Sequence, residues 1–395
     1  MSKRSRSKPS GSKPSKSKSS RTKVVRDKSI HSKAHAKKNN SRYSWQRQQP
    51  RAKSSNPTWT LEAEVLPGLA DFALQELTNL SISAIQTSDT QVQVETQASI
   101  LANLMPKLKM VTALHRVLEF PISRPKALLG NAEFKVLTDA ITEVKHQTIF
   151  TNFRIDAAGK DSTVFQRLIQ RLEIHLNLPY DDADGDLLLR VRPNRARDGW
   201  QVLIRTTPRP LSARAWRICN IAGGLNACVA AAMLELARIT PRERVLNAMC
   251  GSGTLLIEQA LKRHPKDLWG VDINPEAILC AQQNVTAAGV KGVRLEQADA
   301  TNLTCEDACV DVALSDLPWG DAVGSAADNR HLYPAFLAEM ARVVRHNGRL
   351  IIITHDIKRF ERSLAASSWQ SRNVIRVFHG GHYPRIYDLY KPLAS

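Results

Sequence analysis

The sequence predicts a doubly wound α/β domain that follows a smaller α+β region and a basic tail. From about Ile218 onward, continuous apolar runs alternate with amphipathic helical segments, which indicates a parallel sheet covered on both faces. Between Trp59 and Arg217 strands and helices alternate without such a catalytic pattern, and before Trp59 apolar residues are few. We therefore expect a disordered tail at 1–56, an α+β region at 57–217 and the α/β domain at 218–395.

The tail carries almost all of the positive charge. The chain has 56 Lys and Arg residues against 37 Asp and Glu, a net charge of +19. Residues 1–56 contain 18 of the basic residues and a single acid, Asp27. Such a segment cannot bury enough apolar surface to offset its ordering entropy, and it can bind polyphosphate by counterion release without reading its sequence. A tail that only keeps the protein soluble is the alternative.

Other features restrict the class of protein. No run approaches the roughly 18 apolar residues of a membrane span, and the tail lacks the apolar core of a secretory signal. A tail of this composition can also serve as a nuclear address or a transit peptide. The six cysteines form no CxxC pair, and small buried thiols are the default for such residues. We therefore expect a reduced, cytoplasmic compartment and no metal site.

The α+β region begins with an alternating run, TWTLEAEV, which predicts a strand. Pro67 and Gly68 break this run, and the spacing that follows predicts a helix. Farther along, STVFQRLIQRLEIHL has helical spacing, while DLLLRVRP and WQVLIRTTP are typical of strands. The region shows no catalytic constellation. It ends in a basic neighbourhood, which consists of Arg197, Arg205, Arg209, Arg214 and Arg217.

The α/β domain opens with an Ala-rich helix, NACVAAAMLELARI. Strands are predicted at RVLNAMC, LWGVDI, VRLEQAD, VDVALSD and RLIIITHD, and helices at GTLLIEQALKR, NPEAILCAQQNVTAAG and LYPAFLAEMARVVRHNG. Near the end, NVIRVFHGGHYPRIYDLYKP predicts two strands joined by a Gly-Gly turn. This last pair indicates an antiparallel edge on an otherwise parallel sheet.

Candidate ligand-binding residues lie where the predicted strands end, which is where open α/β sheets bind ligands. Gly251 and Gly253 in NAMCGSGT permit a tight turn and close approach of a ligand, but the turn is neither GxGxxG nor a P-loop. Asp272 follows Gly251 by 21 residues and is placed to accept ribose hydroxyls. Asp299 ends the third strand, where it could meet an adenine amine. Each acid alone is more often a helix cap; together they describe a pocket that fits S-adenosylmethionine.

The fourth strand ends in SDLPWG, which favours chemistry on a planar amine. Asp316 and the Leu317 carbonyl could each accept one N–H of an exocyclic amine. That would orient its nitrogen and stabilise the positive charge that develops on it. Pro318 stiffens the turn and Trp319 could stack on the base. No cysteine lies in this loop, which argues against a cysteine adduct; a loop acid beside a core tryptophan is the structural alternative.

Several segments together resemble the THUMP-domain RNA guanine-N2 methyltransferases over about residues 58–394. EVLPGLADFALQEL matches the Pro-Gly-Leu signature that opens these proteins, and LLLRVRPNRARDGWQVLIRTTPRPLSARAWR matches the segment that ends their THUMP domain. LNACVAAAML stands where the family has a helix beginning Leu-Lys/Asn-Pro. CGSGT, VDINPEA and DLPWG match the cofactor and catalytic motifs, and SDLPWG resembles the [DNS]-P-P-[YFW] motif of enzymes that methylate nucleobase amines.

This resemblance implies a Rossmann-like class I methyltransferase domain preceded by ferredoxin-like and THUMP domains. It also implies S-adenosylmethionine as cofactor and RNA as partner, with tRNA the expected class, bound by the THUMP region and the tail and methylated on guanosine N2. The catalytic residues would be Asp316, Leu317, Pro318 and Trp319. The cofactor-binding residues would be Asn247, Cys250, Gly251, Ser252, Gly253, Thr254, Asp272, Ile273, Asp299, Ala300 and Asp316.

The sequence departs from the family pattern at three places. Asn247-Ala248 stands where Asp-Pro is usual, Ala227 replaces a proline, and Asp321 replaces a basic residue. Asn247 keeps one acceptor but lacks the charge that would attract the ammonium group of the cofactor. An rRNA or DNA amine methyltransferase and a non-catalytic RNA-binding protein with a degenerate fold are the alternatives. The intact acid in the SDLPWG loop counts against the non-catalytic alternative.

Overall fold

The computed structural model describes residues 57–319 and 329–392, all of which belong to one unit of the chain, Lys53–Ser395. The predicted tail at 1–56 and Asp321 lie outside the described residues. Within the described ranges, no helix is both long and apolar enough to cross a bilayer. In the same ranges, no group of three His, Cys, Asp or Glu side chains is arranged to hold a metal ion.

The first sheet takes its strands from residues 58–205. Its strands are β1 (Thr58–Val65), β2 (Ser83–Ser88), β3 (Gln91–Gln97), β4 (Val111–Phe120), β5 (Phe153–Ala157), β6 (Leu187–Pro193) and β7 (Trp200–Arg205). They lie in the order β2-β3-β1-β4-β7-β6-β5, and only the β5–β6 pair is parallel. The helices are α1 (Ala70–Asn79), α2 (Leu101–Leu104), α3 (Asn131–Lys145) and α4 (Thr163–Leu176), with 3₁₀ turns at Ala98–Ile100, Met105–Lys107 and Pro125–Leu129.

The alternation that predicted β1 reflects burial of every second side chain. Trp59, Leu61, Ala63 and Val65 are buried, because successive side chains of a strand point to opposite faces. Strand β4 pairs with β1 on one side and with β7 on the other. Residues 58–205 therefore share one continuous sheet, and their division into ferredoxin-like and THUMP domains stays a prediction, as does the boundary at 217/218.

The second sheet has the doubly wound order that the sequence predicted. Its strands are β8 (Arg244–Ala248), β9 (Asp267–Asp272), β10 (Val293–Gln297), β11 (Val310–Asp316), β12 (Val344–Thr354), β13 (Gln370–Arg376) and β14 (Arg385–Tyr390). They lie in the order β10-β9-β8-β11-β12-β14-β13. The first five are parallel, and β14 and β13 form the predicted antiparallel edge. The strand order reverses between β8 and β11, which is the switch point where such sheets bind ligands.

The helices of this part are α5 (Ala227–Ala237), α6 (Thr254–Lys262), α7 (Pro275–Ala287), α8 (Asn329–Val343) and α9 (Ile357–Ala365). Helix α5 is buried on nearly all sides, as its small side chains allow. It packs on α6, β12 and β14. The Cys228 sulfur also lies 3.7 Å from the Val111 carbonyl oxygen on β4. The Ala-rich helix thus joins the cores of the two sheets.

One predicted helix ends earlier than expected. The helical spacing of LYPAFLAEMARVVRHNG predicts helix up to Gly348, but α8 ends at Val343 and β12 begins at Val344. Val344 already pairs with Val310 on β11, so sheet pairing replaces the helical pattern from that residue, and Asn347 then has a positive φ of 60°. At Gly348 a Cβ would lie 2.9 Å from the Asp311 carbonyl oxygen, so the chain needs glycine to pass β11 closely.

A buried ion pair joins the two sheets through the segment between them. Arg214 Nε lies 2.7 Å from Glu258 Oε1 on α6, and both side chains are less than a tenth exposed. The other guanidinium nitrogens donate to the carbonyls of Leu211 and Lys109. Arg205 is also buried and donates to backbone carbonyls. These two members of the predicted basic neighbourhood therefore have structural roles, whereas Arg197 and Arg209 are exposed.

The expectation of reduced thiols is wrong for one pair of cysteines. Cys219 and Cys280 form a disulfide, 61 residues apart in sequence, a separation from which no pairing could be predicted. They meet because Asn284 on α7 binds the backbone of the connecting segment, accepting from the amides of Ile218 and Cys219 and donating to the Cys219 carbonyl. The other cysteines, Cys228, Cys250, Cys305 and Cys309, are free.

We predict that Glu258→Ala destabilises the fold by about 3–5 kcal/mol, since it leaves the Arg214 charge buried without its partner. The free energy of unfolding from chemical denaturation measures this. The matched control is Glu235→Ala, which breaks an ion pair with Lys262 whose side chains are 50% and 40% exposed and should cost less than about 1 kcal/mol. Equal losses in the two variants would contradict the role of the buried pair.

Candidate active site

The Gly-rich turn after β8 is held by the acid that ends β9. The Gly251 amide donates to Asp272 Oδ2 at 2.8 Å, and the Cys250 amide donates to the Val271 carbonyl at 2.9 Å. Gly251 and Gly253 have φ values of 54° and 81°, a conformation that favours glycine. The turn and Asp272, which the sequence predicted to act together, are therefore in direct contact.

Asp272 does not cap the helix that follows it. Its Oδ1 accepts from the Asn274 amide at 3.0 Å, whereas the cap of α7 is Asn274, whose side chain accepts from the Glu276 amide at 2.9 Å. Each carboxylate oxygen can accept more than one hydrogen bond. Asp272 is half-buried and so retains acceptor capacity toward a ligand at the strand ends. Beside it, the apolar side chain of Ile273 is 66% exposed.

The remaining residues of the turn have contacts with the scaffold. Ser252 and Thr254 are buried. The Ser252 carbonyl accepts from the Asn284 amide group at 3.0 Å, and Thr254 Oγ1 accepts from Arg217 at 2.7 Å. The side chain of Cys250 is buried, which raises the pKa of its thiol and leaves it inert as a nucleophile. The Ser252 backbone and the Thr254 side chain thus attach the turn to the scaffold.

Asp299 lies on the surface and forms a local turn. Its Oδ1 accepts from the Thr301 amide at 2.8 Å and from the Thr301 hydroxyl at 2.7 Å. The carboxylate thus contacts neither the Gly-rich turn nor Asp272 within the described ranges, and this arrangement is close to the capping alternative. Ala300, its neighbour, is buried.

The structure explains why residue 247 carries an amide side chain, Asn247, and not a carboxylate. It is 1% exposed at the switch point, and its Nδ2 donates to the Leu314 carbonyl on β11 at 3.2 Å. A carboxylate could not donate there. Its Oδ1 is buried and has no hydrogen-bond partner among the described residues, and a buried acceptor left unpaired is costly. A ligand with N–H donors would satisfy it.

The Asp-Leu-Pro-Trp loop is fixed by backbone and side-chain contacts. The Leu317 amide donates to the Ile353 carbonyl at 3.1 Å. The Pro318 carbonyl accepts from Tyr333 Oη at 2.7 Å and from Asn329 Nδ2 at 3.0 Å. Sequence reasoning missed Asn329 and Tyr333, although their spacing of four places both on one face of α8. In the described part of the chain no group donates to the Leu317 carbonyl.

Asp316 ends β11 in a largely apolar environment. Burial raises the pKa of this carboxyl to about 8, because desolvation disfavours the charged form. The Trp319 indole N–H lowers this pKa in part, but it lies outside hydrogen-bond geometry and has no partner among the described residues. A carboxyl with such a pKa can hold or release a proton near neutral pH.

Trp319 is surrounded by three histidines that the sequence analysis did not single out. Its ring centroid lies 5.8 Å from that of His355, 5.4 Å from that of His379 and 6.1 Å from that of His382. We call these three residues the histidine cradle. In the sequence, only the two histidines of HGGH, His379 and His382, could have indicated this cluster.

Comparison with known proteins shows what the second part of the chain is similar to. Residues 214–385 match the family model described as "RMKL-like, methyltransferase domain". Over 181 residues the chain is 33% identical to the mouse (Mus musculus) tRNA (guanine(6)-N(2))-methyltransferase THUMP3, a match that covers 42% of this chain and 36% of that protein. Over 189 residues it is 31% identical to the tRNA (guanine(6)-N2)-methyltransferase of Thermus thermophilus, which covers 48% of this chain and 56% of that protein. The chain therefore spans less than two thirds of either relative.

The crystal structure of TrmN from Thermus thermophilus has a similar fold. The TM-score is 0.65 at 24% sequence identity, over 85% of this chain and 100% of that chain. The fold class predicted from the sequence is confirmed, as is the resemblance to guanine-N2 methyltransferases. This chain is similar in sequence to tRNA guanine-N2 methyltransferases and in fold to TrmN, and its residues 214–385 match a methyltransferase domain.

Proposed function

We propose that this protein transfers a methyl group from S-adenosylmethionine to the exocyclic N2 amine of a guanosine in RNA, with tRNA as the substrate. The observation that carries this proposal is the Asp316-to-Trp319 loop, held in place at the switch point beside the turn that Asp272 binds. The relatives named for this reaction, although matched over part of their length, support it. The protein is then an enzyme. We propose a cytoplasmic location on the ground of the tRNA-modifying relatives alone, because the Cys219–Cys280 disulfide removes the argument from reduced thiols.

The described residues fit the cofactor. Asp272 has acceptor capacity for the ribose hydroxyls, and exposed Ile273 offers an apolar surface for the adenine. Asp299 Oδ2 and the backbone at Ala300 would meet the adenine edge. The orphaned Oδ1 of Asn247 would accept from the ammonium group. The turn that contains Cys250, Gly251, Ser252, Gly253 and Thr254 would let the cofactor approach the backbone. When bound, S-adenosylmethionine supplies a methyl group made electrophilic by the sulfonium.

The chain's own task is to prepare the amine. A guanine amine is a poor nucleophile because its lone pair is delocalised into the ring. The Asp316 carboxylate and the Leu317 carbonyl would each accept one N–H, which orients the nitrogen and favours charge developing on it. With its raised pKa, Asp316 is suited to take up the proton that the amine loses. Pro318 holds this arrangement through Tyr333, and Trp319 would stack on the base.

A pocket in the first part of the chain supports RNA binding. A cavity of about 360 Å³ is lined by three arginines, Arg154, Arg205 and Arg209, and by two acids, Asp184 and Asp186, so its charged side chains leave one positive charge in excess. Burial, and then the nearby charge of Arg154, lower the pKa of Arg205 to about 10. Arg154 Nε is buried without a partner in the described ranges. An RNA phosphate would relieve this crowding of positive charge, and the predicted tail would add contacts while the target base is flipped into the site.

The first test is a methylation assay with tritiated S-adenosylmethionine and unmodified tRNA, followed by digestion to nucleosides. We expect label in N2-methylguanosine. Label that appears only with rRNA or DNA would favour one of the alternatives. Absence of both label and cofactor binding would favour the non-catalytic RNA-binding protein.

We predict that Asp316→Asn lowers kcat by about 10²–10⁴-fold while cofactor affinity changes little. Because the ionised carboxylate is the form that takes up a proton, kcat/KM of the unmodified enzyme should rise with pH below the Asp316 pKa of about 8. The residual activity of the variant should lack this rise. Asp71→Asn, on the exposed face of α1, is the control and should keep the rise of kcat/KM with pH. If Asp316→Asn also keeps this rise, Asp316 does not act in the mechanism.

We predict that Asp272→Ala weakens cofactor binding by about 10- to 100-fold, as expected for the loss of hydrogen bonds to a charged group. Calorimetric titration with S-adenosylhomocysteine measures this without turnover. Asn274→Ala is the matched control, because it removes the cap of α7 and leaves the carboxylate. If both variants lose the same affinity, the effect of Asp272 comes from the local fold and not from the ribose.

A further inference from the structure

The histidine cradle contacts the Trp319 indole from two strand ends. His355 directly follows β12, which ends at Thr354, and His379 and His382 lie on the hairpin between β13 and β14. The rings of His355 and His382 also contact each other, with centroids 4.3 Å apart. At the hairpin tip, a Cβ on Gly380 would lie 3.7 Å from the edge of the indole. Both elements bring imidazoles to the place where the catalytic loop leaves the sheet.

The hairpin that carries two of these histidines has a regular two-residue turn at its tip. His379 and His382 exchange two backbone hydrogen bonds of 3.0 Å. Gly380 and Gly381 between them have φ values of 60° and 82°, which is the conformation of a two-residue turn with both central residues at positive φ. The imidazoles are therefore presented from a well-defined backbone.

The first part of the chain anchors this hairpin. The Phe378 amide donates to the Pro67 carbonyl at 3.0 Å. A Cβ on Gly68 would lie 2.1 Å from the Arg376 carbonyl oxygen, so only glycine permits this contact. The Pro-Gly-Leu segment thus positions the hairpin, and through it two sides of the cradle.

The ring contacts of the three histidines restrict the orientation of Trp319. Its indole N–H is buried and outside hydrogen-bond geometry with the described residues, although it lies near enough to the Asp316 carboxyl to lower the pKa of that group. The planes of His379 and His382 are 86° and 90° from the indole plane, and that of His355 is 48° from it. No described aromatic ring lies parallel to the indole, whereas a stacked base would.

His379 is the central member of the cradle. It has the shortest centroid distance to Trp319. Burial, and next the charge of Arg217, lower its pKa to about 4, so the ring packs against the indole in its neutral form at physiological pH.

We propose that the histidine cradle is a positioning device that holds the Trp319 indole in the orientation in which it stacks on the target base, with His379 as the principal positioning residue. The proposal rests on the proposed function only in requiring that an RNA base enters beside Trp319. It adds specificity to the site, since a base is accepted only where its plane matches the indole that the cradle has oriented.

The test measures the fluorescence of Trp319 with and without unmodified tRNA transcript. For each protein, the emission of the same protein carrying Trp319→Phe is subtracted, which leaves the emission of Trp319. Stacking on a base quenches indole emission. We expect tRNA to quench Trp319 in the unmodified protein and His379→Ala to reduce this quenching by about 3-fold or more, in keeping with the energy of one aromatic contact. His379→Phe, which retains a ring, should restore most of it.

Two further variants make the test sharp. His382→Ala provides a second probe of the cradle if His379→Ala does not fold, as judged by circular dichroism and thermal melting. His346→Ala is the control, because His346 lies near the beginning of β12 and contacts the Pro392 carbonyl; it should quench like the unmodified protein. Unchanged quenching in both cradle variants, or failure of His379→Phe to restore it, overturns the proposal. Because no step requires methyl transfer, an inactive enzyme that still shows the cradle effect would count against the proposed reaction alone.

Discussion

The buried ion pair between Arg214 and Glu258 is the contact on which the arrangement of the site depends. Neither charge is stable in this environment without the other, and Arg214 also binds the carbonyls of Lys109 and Leu211. Glu258 lies one turn beyond Thr254, where α6 begins. The pair therefore fixes the start of α6, and with it the Gly-rich turn, against the loop that precedes β4.

Two carboxylates at the carboxyl edge of the second sheet have different environments and so suit different tasks. Asp272 accepts hydrogen bonds from the backbone amides of Gly251 and Asn274, which holds it as an oriented acceptor. Asp316 lies where desolvation raises its pKa to about 8, which suits a group that receives a proton. Strand order places these acids on neighbouring sides of the switch point, where a ligand would reach both.

The Pro-Gly-Leu segment shows how the first part of the chain can act on the second. The Pro67 carbonyl and the backbone of Gly68 contact the end of β13 and the residues after it, and the same hairpin carries His379 and His382 to Trp319. The Pro-Gly-Leu segment thus has a direct structural connection to the Asp316-to-Trp319 loop, from which it is far in sequence.

Local sequence by itself determined what depends on short-range pattern. Strand β11 begins and ends at the predicted residues, Val310 and Asp316, because its buried apolar run and its terminal acid are local features. The Asp272 position was predictable for the same reason. The disulfide of Cys219, the amide role of Asn247, the Tyr333 contact and the histidine cradle were decided only by the tertiary structure. Each joins residues that are distant in sequence. Which side chains meet across such distances depends on tertiary packing, and local hydrophobic periodicity carries no information about it.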